Sequence, residues 1–245
     1  MQADQPEPPD AVSHSSPDEP PTTAAGPAAT RLEDADALLP AGDFDDWLAA
    51  MGESLEGRRA SAVPCDDCNA CCRAAYFIAI RPEDEAARRR IPAELIFPAP
   101  AAPAGHGVLP HTEAGACPMF TAAGCSIYQD RPFTCQQYDC RVFAATETAD
   151  SDPRRAGVMD RVRRWRFDFA SEDARQRQQI LAAGAAFLRR EGERLAVTLP
   201  SDVTQLALLA VRLFPVFEAL QAKLKGADAA TREAVADAVR KIYGL

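Results

Sequence analysis

Eight cysteines, gathered in two short windows, constrain this chain more than any other feature. The first window has the spacing Cys-x-x-Cys-x-x-Cys-Cys, the second spans 24 residues, and no cysteine lies outside them. The members are Cys65, Cys68, Cys71 and Cys72 in the first window, and Cys117, Cys125, Cys135 and Cys140 in the second. Cysteines that act as small buried hydrophobic residues would be scattered along the chain. The clustering predicts instead that these thiols ligate a metal ion or an iron–sulfur cluster.

Disulfide bonds are a weaker explanation, because the sequence indicates a reducing, cytoplasmic location. The first ten residues, MQADQPEPPD, have neither the basic nor the apolar segment of a secretory signal. No apolar run approaches the ~18 residues that a membrane span needs. The formal net charge of −9 argues against nucleic acid as a partner. The expected partner is a protein or a small molecule, which the sequence does not identify.

The spacing within the windows allows two kinds of centre. Two thiolates separated by two residues converge on one ion in four-coordinate zinc sites, and three at this spacing also begin the ferredoxin motif for 4Fe–4S clusters. Cys72 follows Cys71 directly, and adjacent side chains usually diverge. We therefore expect these two to serve different ions, or one of them to stay outside the coordination shell. Eight ligands divide into two four-cysteine sites, each joining residues from both windows. Zinc and iron both fit thiolate ligands, and the choice stays open.

Several polar residues lie near the cysteines in the sequence. Arg131 and Tyr128 are candidates for the surroundings of a metal, because an arginine can donate hydrogen bonds to thiolate sulfur. A purely structural role for them is equally open. Asp139, which flanks a cysteine, is interpreted as a solvated side chain, and a role as a ligand or beside the metal is the alternative. His106 and His111 are weaker candidate ligands, since eight thiols already suffice.

Composition divides the chain into three parts. Residues 1–42 are predicted to form a disordered acidic tail, because seven of the 20 prolines lie in the first 30 residues. Of the 36 acidic residues, 13 lie in the first 64 positions, against three basic residues. A cysteine-cluster metal-binding region is predicted over 43–145, and a helical region packed on it over 146–245.

Apolar spacing predicts a first helix over residues 43–57. Its stripe consists of Phe44, Trp47, Leu48, Met51 and Leu55. A short extended segment is expected over 76–80, a helix with Pro82 at its first position, and a long irregular connection over 91–116.

The remaining chain is predicted to be helical. Helices are expected after the Ser-Asp-Pro sequence at 151–153, after Ser171, after 200–202 and over 228–242. Gly184 lies inside the second of these helices, and Pro215 should kink or divide the third. The arginine-rich run at 154–166 is interpreted as a solvated helix face rather than a nucleic-acid site. The predicted fold class is mainly α, with a small irregular cysteine-cluster region packed with a C-terminal set of about four helices.

The residues around the cysteines form a longer pattern. After the first window come Gly115-Ala-Cys117-Pro118, then Gly124-Cys125-Ser-Ile-Tyr128-x-x-Arg131-Pro132-x-x-Cys135, and finally Tyr138-Asp-Cys140. Over residues 65–142 this order resembles the YkgJ-like family of zinc- or iron-chelating proteins, which is named for its CxxCxxCC cluster. The resemblance implies that all eight cysteines bind metal.

Two functions compete at this point. The first is a metal-binding protein in which zinc or iron is structural or transfers electrons. The alternative is an iron–sulfur-dependent protein-lysine methyltransferase that uses S-adenosylmethionine, because flagellin lysine N-methylases are similar in containing such a cysteine cluster. A Gly-rich cofactor loop and a radical-type Cys-x-x-x-Cys-x-x-Cys spacing, which would favour the alternative, are both absent from the sequence. Whether the chain is an enzyme stays open, and no catalytic residues are predicted.

Overall fold

The computed structural model describes residues 37–65, 68–99 and 102–244. Most of the predicted tail, residues 1–36, therefore lies outside the described residues. The α-helices of the described part are α1 (Phe44–Leu55), α2 (Glu85–Arg90), α3 (Phe133–Gln137), α4 (Arg141–Ala145), α5 (Ala156–Arg164), α6 (Glu172–Glu191), α7 (Val203–Arg212), α8 (Phe214–Leu220) and α9 (Ala229–Tyr243). Its strands are β1 (Leu39–Asp43), β2 (Ile78–Ile80), β3 (Phe97–Pro98), β4 (Gly107–Leu109), β5 (Phe120–Thr121), β6 (Gly124–Cys125) and β7 (Trp165–Asp168). The prediction of a mainly α fold is confirmed.

Side-chain caps explain where the long helices begin. Asp43 accepts hydrogen bonds from the backbone at the start of α1, and Ser171 does the same for α6. Asp202 and Asp228 cap α7 and α9. These oxygens satisfy backbone N–H groups that have no partner inside the helix. The helices lie close to their predicted positions because both the caps and the apolar stripes can be read locally.

The large apolar core joins α1 to the C-terminal helices. Phe44 and Trp47 of α1 pack in one cluster with Leu181 of α6 and Leu209 of α7. Gly184 on α6 allows an aromatic ring to approach closely, since an added Cβ would lie 2.1 Å from Phe217 Cδ2. The predicted division at Pro215 is confirmed, because α7 and α8 meet at a bend of 65°.

A parallel strand pair that the sequence analysis does not predict lies beside this core. Strand β1 pairs with β7, with Leu39 opposite Trp165 and Asp43 opposite Asp168. The partners are more than 120 residues apart in the chain, so local patterning could not show the pairing. Strand β1 also places residues 39–42, the end of the predicted tail, in regular structure.

The cysteine-bearing segment contains shorter elements. Strands β2, β4 and β3 form an antiparallel sheet, and β5 and β6 form a hairpin. A second, small apolar cluster packs on this sheet; its buried members are Ile80, Ala87, Ile91, Leu109 and Ile127. Helix α2 begins at Glu85, so the prediction of Pro82 at the first helical position is wrong. Asp84 instead accepts from the Arg81 and Phe133 N–H groups and holds the loop to α3.

No single helix of the described ranges has the length and apolarity needed to cross a membrane. By length and composition alone, the bent pair α7 and α8 meets that test together. Both helices contribute buried residues to the large core.

Candidate metal centre

Tight turns bring the thiols of the first window together. The Cys68 N–H donates to the Cys65 carbonyl at 2.7 Å, and a 3₁₀ turn follows over Ala70–Arg73. Within this turn the Cys72 N–H donates to the Asn69 carbonyl at 3.0 Å, so Cys71 and Cys72 both lie on the turn.

A backbone hydrogen bond joins the two windows. The Cys117 N–H donates to the Cys72 carbonyl at 2.7 Å. The β5–β6 hairpin then places Phe120 opposite Cys125, and Cys135 lies within α3. The structure thus brings residues that are separated by more than 40 positions to one region, as the sequence analysis expects.

Cys140 precedes α4 and lies against the large core. The Trp165 Nε1–H donates to its sulfur at 3.3 Å. All eight cysteines are free thiols; Cys71 is exposed and the other seven are half-buried. The donors are therefore chemically available, and most are partly shielded from water.

Asp139 is not the solvated side chain that the sequence analysis describes. It is 2% exposed, and its carboxylate accepts from Trp47 Nε1 at 3.1 Å and Ser61 Oγ at 2.9 Å. Arg141, which is also buried, pairs with it through Nη2 at 2.7 Å. The solvation interpretation is wrong because it considers only neighbours in sequence, whereas Trp47 and Ser61 come from distant segments.

Arg141 extends this network to two further segments. Its guanidinium donates to the Ala41 carbonyl at 2.9 Å and to the Ala62 carbonyl at 3.0 Å. The Asp139–Arg141 pair thus fixes strand β1 and the segment before Cys65 to the residues that flank Cys140. Sequence reasoning missed this network, and only the Asp-Cys-Arg order at 139–141 hints at it.

Burial controls the protonation of most of these thiols. It raises the pKa of Cys65, Cys117 and Cys125, and raises the pKa of Cys135 and Cys140 to about 12. Removing a thiolate from water disfavours its charged form, so in the absence of metal these thiols hold their protons near neutral pH.

The adjacent pair behaves differently. The Cys71 thiol hydrogen bonds to the Cys72 sulfur, which lowers the pKa of Cys72 to about 7 and raises that of Cys71. The guanidinium of Arg131 also lowers the pKa of Cys72. The expected divergence of the two side chains is therefore incomplete, because their sulfur atoms stay in contact.

Two arginines place positive charge beside the thiols. The Arg131 guanidinium lies 4.1 Å from the centre of the exposed Tyr128 ring, and that of Arg161 lies 4.9 Å from the centre of the Trp165 ring. The Nε atoms of both arginines are buried and have no hydrogen-bond partner among the described residues. Sequence reasoning selected Arg131 and Tyr128 but placed Arg161 in the solvated run. Arg161 and Trp165 are four positions apart, and this helical spacing could have indicated that the two side chains are in contact.

The two histidines interact with nearby loop backbone. His106 Nδ1 lies 3.1 Å from the Pro103 carbonyl, and His111 Nδ1 lies 2.8 Å from the Thr112 carbonyl. These contacts involve only Nδ1 of each ring, so the ranking of the thiols above the imidazoles as ligands stays a prediction.

The donor set fits a thiophilic metal, although the side chains are not closed around one. Within residues 37–65, 68–99 and 102–244, no three His, Cys, Asp or Glu side chains have the arrangement of a formed metal site. Thiolates nevertheless suit zinc and iron. The two buried, unpartnered guanidinium N–H groups match the donors that stabilise metal-bound sulfur. The sulfur atoms would have to move closer together to bind an ion.

Comparison with known proteins agrees with this donor set. Residues 64–154 match the CxxCxxCC family. This family is described as a "Putative zinc- or iron-chelating domain", and the match contains all eight cysteines of the chain. The resemblance inferred from the sequence is thereby confirmed. No curated protein and no solved structure gives a significant match. The CxxCxxCC domain and its cysteines support metal binding by this chain.

Proposed function

We propose that the CxxCxxCC domain binds zinc or iron through all eight cysteine thiolates, and that the metal holds the cysteine-bearing loops in place. One observation carries the proposal: segments far apart in the chain bring eight unpaired thiols to one region. The proposal places the protein in a reducing compartment such as the cytoplasm, where thiolates remain available to bind metal.

A structural role for the metal is supported by the short strands and the small apolar cluster of this region. The strands here are two or three residues long, and the small apolar cluster has five buried members among the described residues. Structural zinc sites contribute about 10–16 kcal/mol to folding in small peptides at pH 7. A contribution of that order would exceed what this small cluster supplies.

Metal and sulfide analysis of protein purified without oxygen tests the proposal. We expect a colourless protein with about two zinc ions, the number that eight thiolates hold at four per ion. A brown protein that contains iron and acid-labile sulfide would retain the metal-binding proposal and assign iron–sulfur clusters. Native protein free of metal, with all thiols reduced or paired in disulfides, would contradict it.

The methyltransferase alternative gains no support from the described residues and stays a prediction. Saturable binding of S-adenosylmethionine to the metal-loaded protein, measured by calorimetry, would favour it. The structural role predicts no such binding.

A further inference from the structure

We propose that the eight cysteines form two centres, one on the side of the large core and one on the side of the small sheet. The core-side set contains Cys65, Cys68, Cys71 and Cys140, and the sheet-side set contains Cys72, Cys117, Cys125 and Cys135. This inference rests on the proposed function and adds which thiols share a centre. The border between the sets falls between two consecutive residues, Cys71 and Cys72.

Backbone contacts define the first three members of the sheet-side set. The hydrogen bond from Cys117 to the Cys72 carbonyl, at 2.7 Å, places these two residues side by side. Phe120, whose N–H donates to the Cys117 carbonyl at 2.9 Å, is paired with Cys125 across the β5–β6 hairpin. Cys117 and Cys125 both pack against the small apolar cluster. Cys72, Cys117 and Cys125 are therefore carried by directly connected segments.

Helix α3 brings the fourth member to the same side. The Thr134 hydroxyl donates to the Ala79 carbonyl of β2 at 2.9 Å, and the Phe133 N–H donates to Asp84 at 2.8 Å. Cys135 follows Thr134 directly, so the small sheet helps to fix its position. Helix α3 also contacts the segment before Cys65, because the Gln136 carbonyl accepts from the Ser61 N–H at 2.8 Å.

The core-side set is held by other contacts. Cys140 packs on the large core, and Asp139 beside it accepts from Ser61 at 2.9 Å. The segment that leads to Cys65 is held at two further points: Arg141 donates to the Ala62 carbonyl, and Arg161 donates to the Pro64 carbonyl at 3.1 Å. The turn from Cys65 to Cys68 continues from this anchored segment. These contacts join the start of the first window to Cys140 and not to the hairpin.

Cys71 lies at the border between the two sets. Ala70, which precedes it, packs against the large core, whereas Cys72, which follows it, accepts from the Cys117 N–H through its carbonyl. Cys71 is therefore assigned to the core-side set.

An arginine also lies beside each set. Arg161 donates to the carbonyl of Pro64, which precedes Cys65, at 3.1 Å. The Arg131 guanidinium lies 4.1 Å from the centre of the Tyr128 ring, between Cys125 and Cys135 in the chain. Four thiolates around a divalent ion leave a net charge of about −2 at each centre. A guanidinium beside each set offsets part of that charge.

Two double variants that differ only by one position test the division. The full-length protein is purified without oxygen, and bound metal is measured per chain for C140S, C71S/C140S and C72S/C140S. C140S should retain half of the wild-type metal. C71S/C140S should retain the same half, because both substitutions fall in one set, whereas C72S/C140S should lose nearly all of it. Equal loss in the two double variants, or complete loss in C140S alone, would overturn the division.

A second experiment uses the wild-type protein and therefore does not depend on whether the variants fold. The metal-loaded chain is treated with increasing chelator, the released thiols are alkylated, and the labelled cysteines are identified by mass spectrometry. The four cysteines of one set should become labelled together, before those of the other set. Labelling that mixes the sets, or release of all eight thiols in one step, would contradict the proposal. Wild-type protein that holds no metal would instead contradict the proposed function itself.

Discussion

The substitution Asp139→Asn removes one charge from a buried ion pair without changing the size of the side chain. Arg141 is 11% exposed and Asp139 1% exposed in their side chains, so the guanidinium would remain buried without its counter-charge. Breaking a buried pair in this way costs about 3–5 kcal/mol. An asparagine also has only one acceptor oxygen, so it can accept from Trp47 and Ser61, which share one carboxylate oxygen, or from the Arg141 N–H and Nε, which use the other, but not from both sets. For a unit of this size, that cost corresponds to a fall in melting temperature of about 6–20 °C.

Thermal unfolding of the metal-loaded protein, followed by circular dichroism at 222 nm, measures this cost. The matched control is Asp130→Asn, whose carboxylate lies 3.8 Å from Arg90 in an exposed pair. Exposed pairs contribute about 0–1 kcal/mol, so the control should change the melting temperature by only a few degrees. A D139N variant as stable as D130N would refute the view that the Asp139–Arg141 network holds the domain together.

Two further predictions concern packing and pH. Gly184→Ala should lower the free energy of unfolding by about 1–2 kcal/mol, because overpacking against the buried Phe217 ring costs about 1–3 kcal/mol and exceeds the helical gain of alanine. The same change at Gly52 of α1, where an added Cβ meets nothing within 4 Å, should raise it by about 0.5–1 kcal/mol. Urea titration measures the free energy of unfolding of both variants. If both variants are less stable than the wild type, the packing argument is contradicted. Zinc uptake at pH 7 should release protons, since metal-free Cys135 and Cys140 have pKa values of about 12 and are protonated there. The affinity for zinc should therefore rise with pH. A pH-indicator dye in weak buffer measures the released protons, and zinc uptake without proton release would exclude these thiols as ligands.

Local signals accounted for the helices of this chain. The stripe from Phe44 to Met51 lies on α1 as expected, and Ser171 begins α6 through its own hydroxyl. Pro215 ends one helix and begins another because it lacks an N–H group. Each of these features depends on residues a few positions apart, which is the range that a sequence pattern covers.

Features that depend on distant segments could not be predicted in the same way. The clustering of thiols indicated a metal centre, but which cysteines face each other depends on contacts such as Cys117 with Cys72. Asp139 and Arg161 were assigned to solvent because their partners, Ser61 and Pro64, lie about 80 and 100 positions away. The pairing of β1 with β7 is hidden for the same reason.

The joining of β1 and α1 to elements beyond residue 160 has a consequence for how a newly made chain acquires its metal. The cysteines are translated between the two halves of the scaffold that positions them. At about 5–20 residues per second, roughly ten to thirty seconds separate the synthesis of Cys72 from that of the last helix. During that interval the sulfur atoms are open to oxidants and to competing ions. Loading with the correct metal is thus expected late, after the elements beyond residue 160 have been made, and a cell short of reductant would lose nascent copies first.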